Sequence, residues 1–169
     1  KQWFGASRVI DDQENPALAY TGTNQDFQVF GPEKTKYHMF FFSESASDAN
    51  MYARQNGVEG GSIIPAYLRV LRPASKEHYD QLKERFNGDY KHPEKVIETL
   101  KSEGYDGIRF GYGIWAVFDS NQIKSPFNSG AFDINNSNIL DYSPQEQSVA
   151  AELRALITTA TVRPIVEAQ

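Results

Sequence analysis

Apolar positions along this chain fall into short runs separated by polar, turn-forming stretches, and the spacing of the runs changes several times. Trp3, Phe4, Val9 and Ile10 make a small apolar cluster leading into Asp11-Asp12-Gln13-Glu14-Asn15-Pro16, a polar stretch rich in turn formers. Residues 17–21 read as a short strand that stops at Gly22. Residues 37–42 carry an unbroken aromatic run, which predicts a strand buried on both faces and therefore central in its sheet. Ser45 with Asp48 three residues on is a capping-box pattern, so a helix over 49–54 should follow this strand directly. Gly57 and the pair Gly60-Gly61 break that helix, and residues 63–71 form the next strand, with Pro65 near its start.

Helix signals dominate the next third. Ser75 can cap a helix running to Phe86, with Asn87-Gly88 ending it. Pro93 suits the first turn of a further helix, whose apolar stripe is Val96, Ile97 and Leu100 and which Gly104 closes. Residues 108–110 and 114–118 then predict two short strands around the tight turn Gly111-Tyr112-Gly113. Residues 120–143, rich in Asn, Ser, Asp and Gly, read as an ordered surface tail or loop. Helical spacing returns over 145–157 through Val149, Leu153, Leu156 and Ile157. The pattern as a whole predicts one α+β domain over residues 1–143 with a helical extension over 144–169.

Composition narrows the chemistry. A chain of 169 residues with 11 Phe, 9 Tyr and 2 Trp can bury a substantial single core. A net charge of −5 argues against a protein that holds nucleic acid by its field. The absence of cysteine excludes disulfides, thiolate zinc sites and a cysteine nucleophile, and His38, His78 and His92 share no metal-ligand spacing, so no metal is expected. No apolar run approaches the ~18 residues of a membrane span. Lys1-Gln2-Trp3 carries neither an initiating methionine nor a targeting pattern, and is read as the start of a piece of a longer polypeptide.

Four ordered segments carry a resemblance. They are residues 3–9 (Trp-Phe-Gly-Ala-Ser-Arg-Val), Tyr20-Thr21-Gly22-Thr23 with Phe27 and Phe30, Phe40-Phe41-Phe42-Ser43 ahead of its helix, and residues 117–125 (Val-Phe-Asp-Ser-Asn-Gln-Ile-Lys-Ser). Gly104-Tyr105-Asp106-Gly107 and Gly130-Ala131-Phe132-Asp133 fit the same order. Together they resemble the ADP-ribosyltransferase domains of phage and mobile-element polyvalent proteins, relatives of diphtheria-toxin-like transferases and poly(ADP-ribose) polymerases. The resemblance implies a split, bent pair of small sheets with flanking helices around an NAD cleft. The implied reaction cleaves the bond from nicotinamide to ribose and passes ADP-ribose to a protein or other acceptor, in a host-cell cytoplasm or a virion.

On that resemblance Tyr20, Thr21, Gly22, Thr23, Phe41, Phe42 and Ser43 are the NAD-binding candidates, with Thr21, Phe41 and Ile114 at the catalytic positions. Gly22 matches a glycine whose backbone pairs with the nicotinamide amide, although it also reads as a plain strand end. Thr23 is placed to help hold ribose or amide, and equally reads as a turn threonine. Thr21 replaces the family's histidine with one short-reaching hydroxyl. Phe41 replaces the stacking tyrosine and keeps the ring face, though one phenylalanine of an aromatic strand is as readily a core residue. Ile114 stands where the catalytic glutamate belongs, and it cannot stabilise developing positive charge.

Eukaryotic relatives with isoleucine there transfer single ADP-ribose units with help from the acceptor's carboxylate, whereas loss of histidine and glutamate together resembles inactive members. Two readings therefore stand: a mono-ADP-ribosyltransferase or NAD glycohydrolase, and a catalytically silent domain kept for binding or assembly within a phage polyprotein. A third, an unrelated α+β binding module, requires the motif order to be coincidence. Glu44 and Asp106 are the acids placed to substitute, each with a plainer reading as a helix-leading acid and a turn residue. Arg54 and Arg69 are pyrophosphate candidates, or solvated surface arginines.

Overall fold

The computed structural model describes residues 3–23, 30–31, 35–55, 62–86, 92–128 and 135–140. The expected breaks at Gly57, Gly60-Gly61 and Asn87-Gly88, the motif residues Phe27 and 130–133, and the helix over 145–157 lie outside them, so the boundary near residue 143 does too. The described elements run β1 (Leu18–Thr23), β2 (Phe40–Ser43), α1 (Ala46–Gln55), β3 (Ser62–Leu68), β4 (Pro73–Ser75), α2 (Lys76–Arg85), α3 (Pro93–Ser102), β5 (Gly107–Phe110), β6 (Ile114–Val117) and β7 (Ile123–Lys124). The strands form a mixed seven-stranded sheet in the order β4-β5-β6-β2-β1-β3-β7, which makes this an α+β chain with the aromatic strand β2 at the centre.

The helix ends follow their local signals. The Ser75 hydroxyl accepts the His78 amide at 3.2 Å and starts α2, and the Ser45 hydroxyl accepts the Asp48 amide at 3.3 Å at the start of α1. Pro93 opens α3, and Gly104, at φ +86°, turns the chain out of it where a side chain would be strained. Because the Ser75 cap is exposed and satisfies one amide, Ser75→Ala is expected to cost about 1 kcal/mol and lower the melting temperature by about 2–4 °C. A melt superimposable on wild type shows the cap to be idle.

Each face of the sheet carries its own core. On one, Val9, Ala19, Phe30, Phe40, Phe42, Ala66, Leu68, Trp115, Val117 and Ile123 pack together, with the Phe30 ring edge-on to Phe40 at 5.1 Å. On the other, α2 and α3 lay Tyr79, Leu82, Val96, Ile97 and Leu100 against Met39, Ile108, Ala116 and Phe118. Gly107 has no room for a side chain, since a Cβ there would stand 2.8 Å from the Ala116 carbonyl oxygen and 2.9 Å from Val70. The turn-rich segment folds on itself: the Asp11 carboxylate accepts the amides of Asn15 and Gln13, which holds its pKa below the ordinary value.

Four expectations need correction. β1 does not stop at Gly22 but runs to Thr23, because β3 pairs with it through Thr23↔Ser62. β2 is not buried on both faces: the strand alternates, and Phe41 is 38% exposed. β3 ends at Leu68 rather than residue 71, because Leu71 and Arg72 donate their amides to the Asp106 carboxylate instead of to a strand. Residues 120–128 are not a surface tail: Gln122, Ile123, Lys124 and Ser125 are buried, and β7 adds an edge strand to β3.

Candidate functional site

The sheet is continuous in its pairing order, yet one of its joints is minimal. β1 pairs with β3 along all six of its residues, and β2 with β6 along all four. β1 and β2 share a single pair, Tyr20↔Ser43. Two well-laddered halves, β4-β5-β6-β2 and β1-β3-β7, are therefore stitched together at one point. Beyond it, toward Gly22 on one strand and Phe41 on the other, the ladder is not continued.

Residues opposite one another in an antiparallel pair share a face, and residues two apart along a strand stay on it. Tyr20 lies opposite Ser43, Ser43 opposite Ile114, and Ile114 opposite Phe110, so these four form one row. Gly22 and Phe41, each two residues along, belong to the same face. The Phe41 ring meets Tyr37 edge-on and Phe110 at a tilt, both at 5.8 Å, and Phe110 in turn meets the Tyr79 ring at 5.5 Å. Of the candidate residues, Tyr20, Gly22, Phe41, Ser43 and Ile114 thus come to one face. Thr21, Thr23 and Phe42 fall on the other, with Thr21 opposite Ile64, which packs on the first core. Ser43 is buried, and its hydroxyl accepts the Ser45 amide at 3.0 Å.

The acids differ in what they do. Glu44 follows β2 directly; its amide donates to the Gly113 carbonyl at 2.9 Å and its carboxylate accepts the Trp115 indole N–H at 2.8 Å. The second carboxylate oxygen lies 2.9 Å from where a Cβ on Gly113 would stand. This carboxylate is braced against both chain neighbours of Ile114, on the face of Trp115, whose ring also carries the Arg109 guanidinium at 5.2 Å. Asp106 is a structural clamp: its two oxygens take the amides of Leu71 and Arg72 at 2.7 and 2.8 Å. Arg69 donates to the Trp3 carbonyl at 2.8 Å, tying the N-terminal cluster to the sheet. The Arg54 side chain lies outside what is described.

The segment 117–125 holds the fold rather than the site. The Gln122 side-chain oxygen accepts the amides of Phe118 and Asp119 at 3.0 and 2.9 Å, while its nitrogen donates to the carbonyls of Arg69 and Asp106 at 2.9 and 2.7 Å. Lys124, fully buried, donates to the carbonyls of Asn136 and Asn138. Tyr37 and Phe110 beside Phe41, and Tyr79 beside Phe110, carry no signal in the sequence, since only the fold joins α2 and β5 to β2. Ile63 stands opposite Gly22 on β3 and is 37% exposed. Among the described residues no group of three or more His, Asp and Glu is placed to hold a metal ion, and no helix is long and apolar enough to cross a membrane.

A family model described as ADP-ribosyltransferase in polyvalent proteins matches residues 11–132. No curated protein and no solved structure matches the chain.

Proposed function

The chain belongs to the ADP-ribosyltransferase family of polyvalent proteins, and from that premise we propose that it binds NAD where β1 and β2 part and transfers single ADP-ribose units to a protein or other acceptor, or to water. The observation that supports this most is the convergence of Gly22, Phe41 and Ile114, from three separate strands, on one face beside a joint of a single residue pair. The lack of a Cβ on Gly22 lets an amide approach the main chain, whose N–H and C=O groups are strong partners for one. The half-exposed Phe41 ring offers an apolar face for stacking.

In the transfer, the bond from the nicotinamide nitrogen to the ribose carbon breaks, and its electron pair leaves with neutral nicotinamide. The acceptor's nucleophile takes the ribose carbon and loses a proton. Ile114 adds no charge to this step, so orientation by Gly22 and Phe41 is what the chain supplies, and a carboxylate on the acceptor, where it has one, supplies the rest. Turnover is therefore slow.

A second reading, a catalytically silent member kept for binding or assembly, is favoured by one specific observation: Thr21, at the histidine position, faces away from Ile114 and Phe41. Incubation with NAD, followed by mass analysis of products, separates the two. Free nicotinamide with ADP-ribose, on the chain, on an added acceptor or in solution, supports transfer; binding without products supports the silent reading. No binding at all overturns transfer and leaves the silent reading in its assembly form.

Gly22→Val is expected to abolish NAD and nicotinamide binding while leaving the fold intact, since valine suits a strand but fills the space an amide needs. Calorimetry showing equal affinity in wild type and variant removes Gly22 from the site.

A further inference from the structure

Ile114 lies at the last pair of the β5–β6 ladder, Phe110↔Ile114, directly after the turn Gly111-Tyr112-Gly113. Tyr112 and Gly113 both take positive φ, +63° and +71°, and the Tyr112 side chain is fully exposed. A strand end beside an exposed turn frays unless something fixes it. Glu44 meets this one at two points. Its amide donates to the carbonyl of Gly113, the residue before Ile114, and its carboxylate accepts the indole N–H of Trp115, the residue after. Its side chain lies flat along Gly113, where an added Cβ would stand 3.3 Å from the Glu44 Cβ and Cδ. We infer that Glu44 is a positioning residue that fixes residue 114 at the reacting bond; this rests on the transfer reading above.

The contact is more than a buried indole requires. Trp115 is buried, so its N–H needs an acceptor, but any carbonyl oxygen would satisfy it. What distinguishes Glu44 is that one residue bonds both chain neighbours of Ile114 while its own predecessor, Ser43, pairs with Ile114 itself. Trp115 stands opposite Phe42 and packs in the first core, whereas Ile114 stands opposite Ser43 on the other face. Glu44 therefore acts through the backbone, with its carboxylate on the side of the sheet away from Phe41 and Gly22. Two residues on, Ala46 starts α1, which packs on β1, β2 and β3. The same residue thus joins the β5–β6 turn to the helix lying against β1.

The test is nicotinamide release from NAD by the full chain, with and without Ile114→Glu, read beside the NMR signals of the two tryptophan indole N–H groups. The variants are Glu44→Gln, Glu44→Asp and Glu44→Ala. Gln keeps the reach and loses the charge, and Asp keeps the charge and falls one methylene short of Trp115, so the pair guards against an alanine variant that merely unfolds. Gln is expected to hold the Trp115 signal in place and release within about twofold, the rescue a positioning role allows. Asp and Ala should move the signal upfield and slow release about tenfold with NAD affinity by calorimetry unchanged, the cost of a displaced group at a reacting centre. If Gln slows release as much as Ala, or Asp releases at the wild-type rate, Glu44 acts by its charge and the inference is overturned. A moved signal with unchanged release makes Glu44 a structural contact only, and an unmoved signal in Ala means that no latch exists; either overturns the inference with transfer intact. If neither wild type nor Ile114→Glu releases nicotinamide, the transfer reading falls and the inference with it.

Discussion

Ile114→Glu is expected to raise nicotinamide release about 10²-fold over wild type, the usual effect of one preorganised electrostatic contact at a reacting centre. The substitution places a carboxylate in the row of Tyr20 and Ser43, on the face shared by Gly22 and Phe41. Ile114 is only partly buried, so the new charge keeps some solvent and its desolvation cost is moderate. Ile114→Gln, of similar shape and without charge, should gain little, which isolates the electrostatic contribution. Adding Thr21→His to Ile114→Glu should add little, because residue 21 shares its face with Ala19 and Ile64 rather than with Phe41. Release measured by chromatography at saturating NAD decides it. No gain from glutamate means that Ile114 does not stand at the reacting bond. A fall below a robust wild-type rate means a competent enzyme that draws its acid from elsewhere, with Glu44, braced beside residue 114, the first to replace by glutamine.

The largest stability effect is expected at Gln122. Gln122→Leu strips four backbone groups of their partner at once: the amides of Phe118 and Asp119 and the carbonyls of Arg69 and Asp106. Each buried group left unsatisfied costs about 1–3 kcal/mol. With water reaching some of them, a net loss of about 3–5 kcal/mol follows, a fall in melting temperature of about 6–20 °C for a chain of this size. Melting within about 2 °C of wild type would show that those groups find other partners. Because the partners of Gln122 are Phe118, Asp119, Arg69 and Asp106 and none of the candidate binding residues, the nicotinamide affinity of the folded variant should match wild type.

What was legible in the sequence is what local chemistry decides. Ser75, Pro93 and Gly104 mark the ends of α2 and α3 through contacts within a few residues, and the structure places those ends within a residue or two of the expectation. Strand limits were less legible, because a strand ends where its partner does: Gly22 continues β1 only because Ile63 is there to pair with it. The convergence of Gly22, Phe41 and Ile114 came from motif order. That Thr21 and Gly22 face opposite sides follows from the pleat of β1, whereas which of them shares a face with Phe41 depends on register, which no local pattern carries. Gln122 was legible as part of a motif but not as a clamp, since two of its partners lie 53 and 16 residues away.

The joint at Tyr20↔Ser43 has an evolutionary consequence. With so few strand-to-strand bonds there, the spacing of the two half-sheets rests on α1, which packs on β1, β2 and β3, and on how fully Phe30, Phe40, Phe42, Ala19 and Ala66 occupy the core that spans both. The spacing of the strands at this joint becomes in part a function of interior volume. Adaptation to a bulkier or slimmer substrate can thus proceed through residues that no substrate ever touches, one methyl group at a time, leaving the recognition surface itself unaltered.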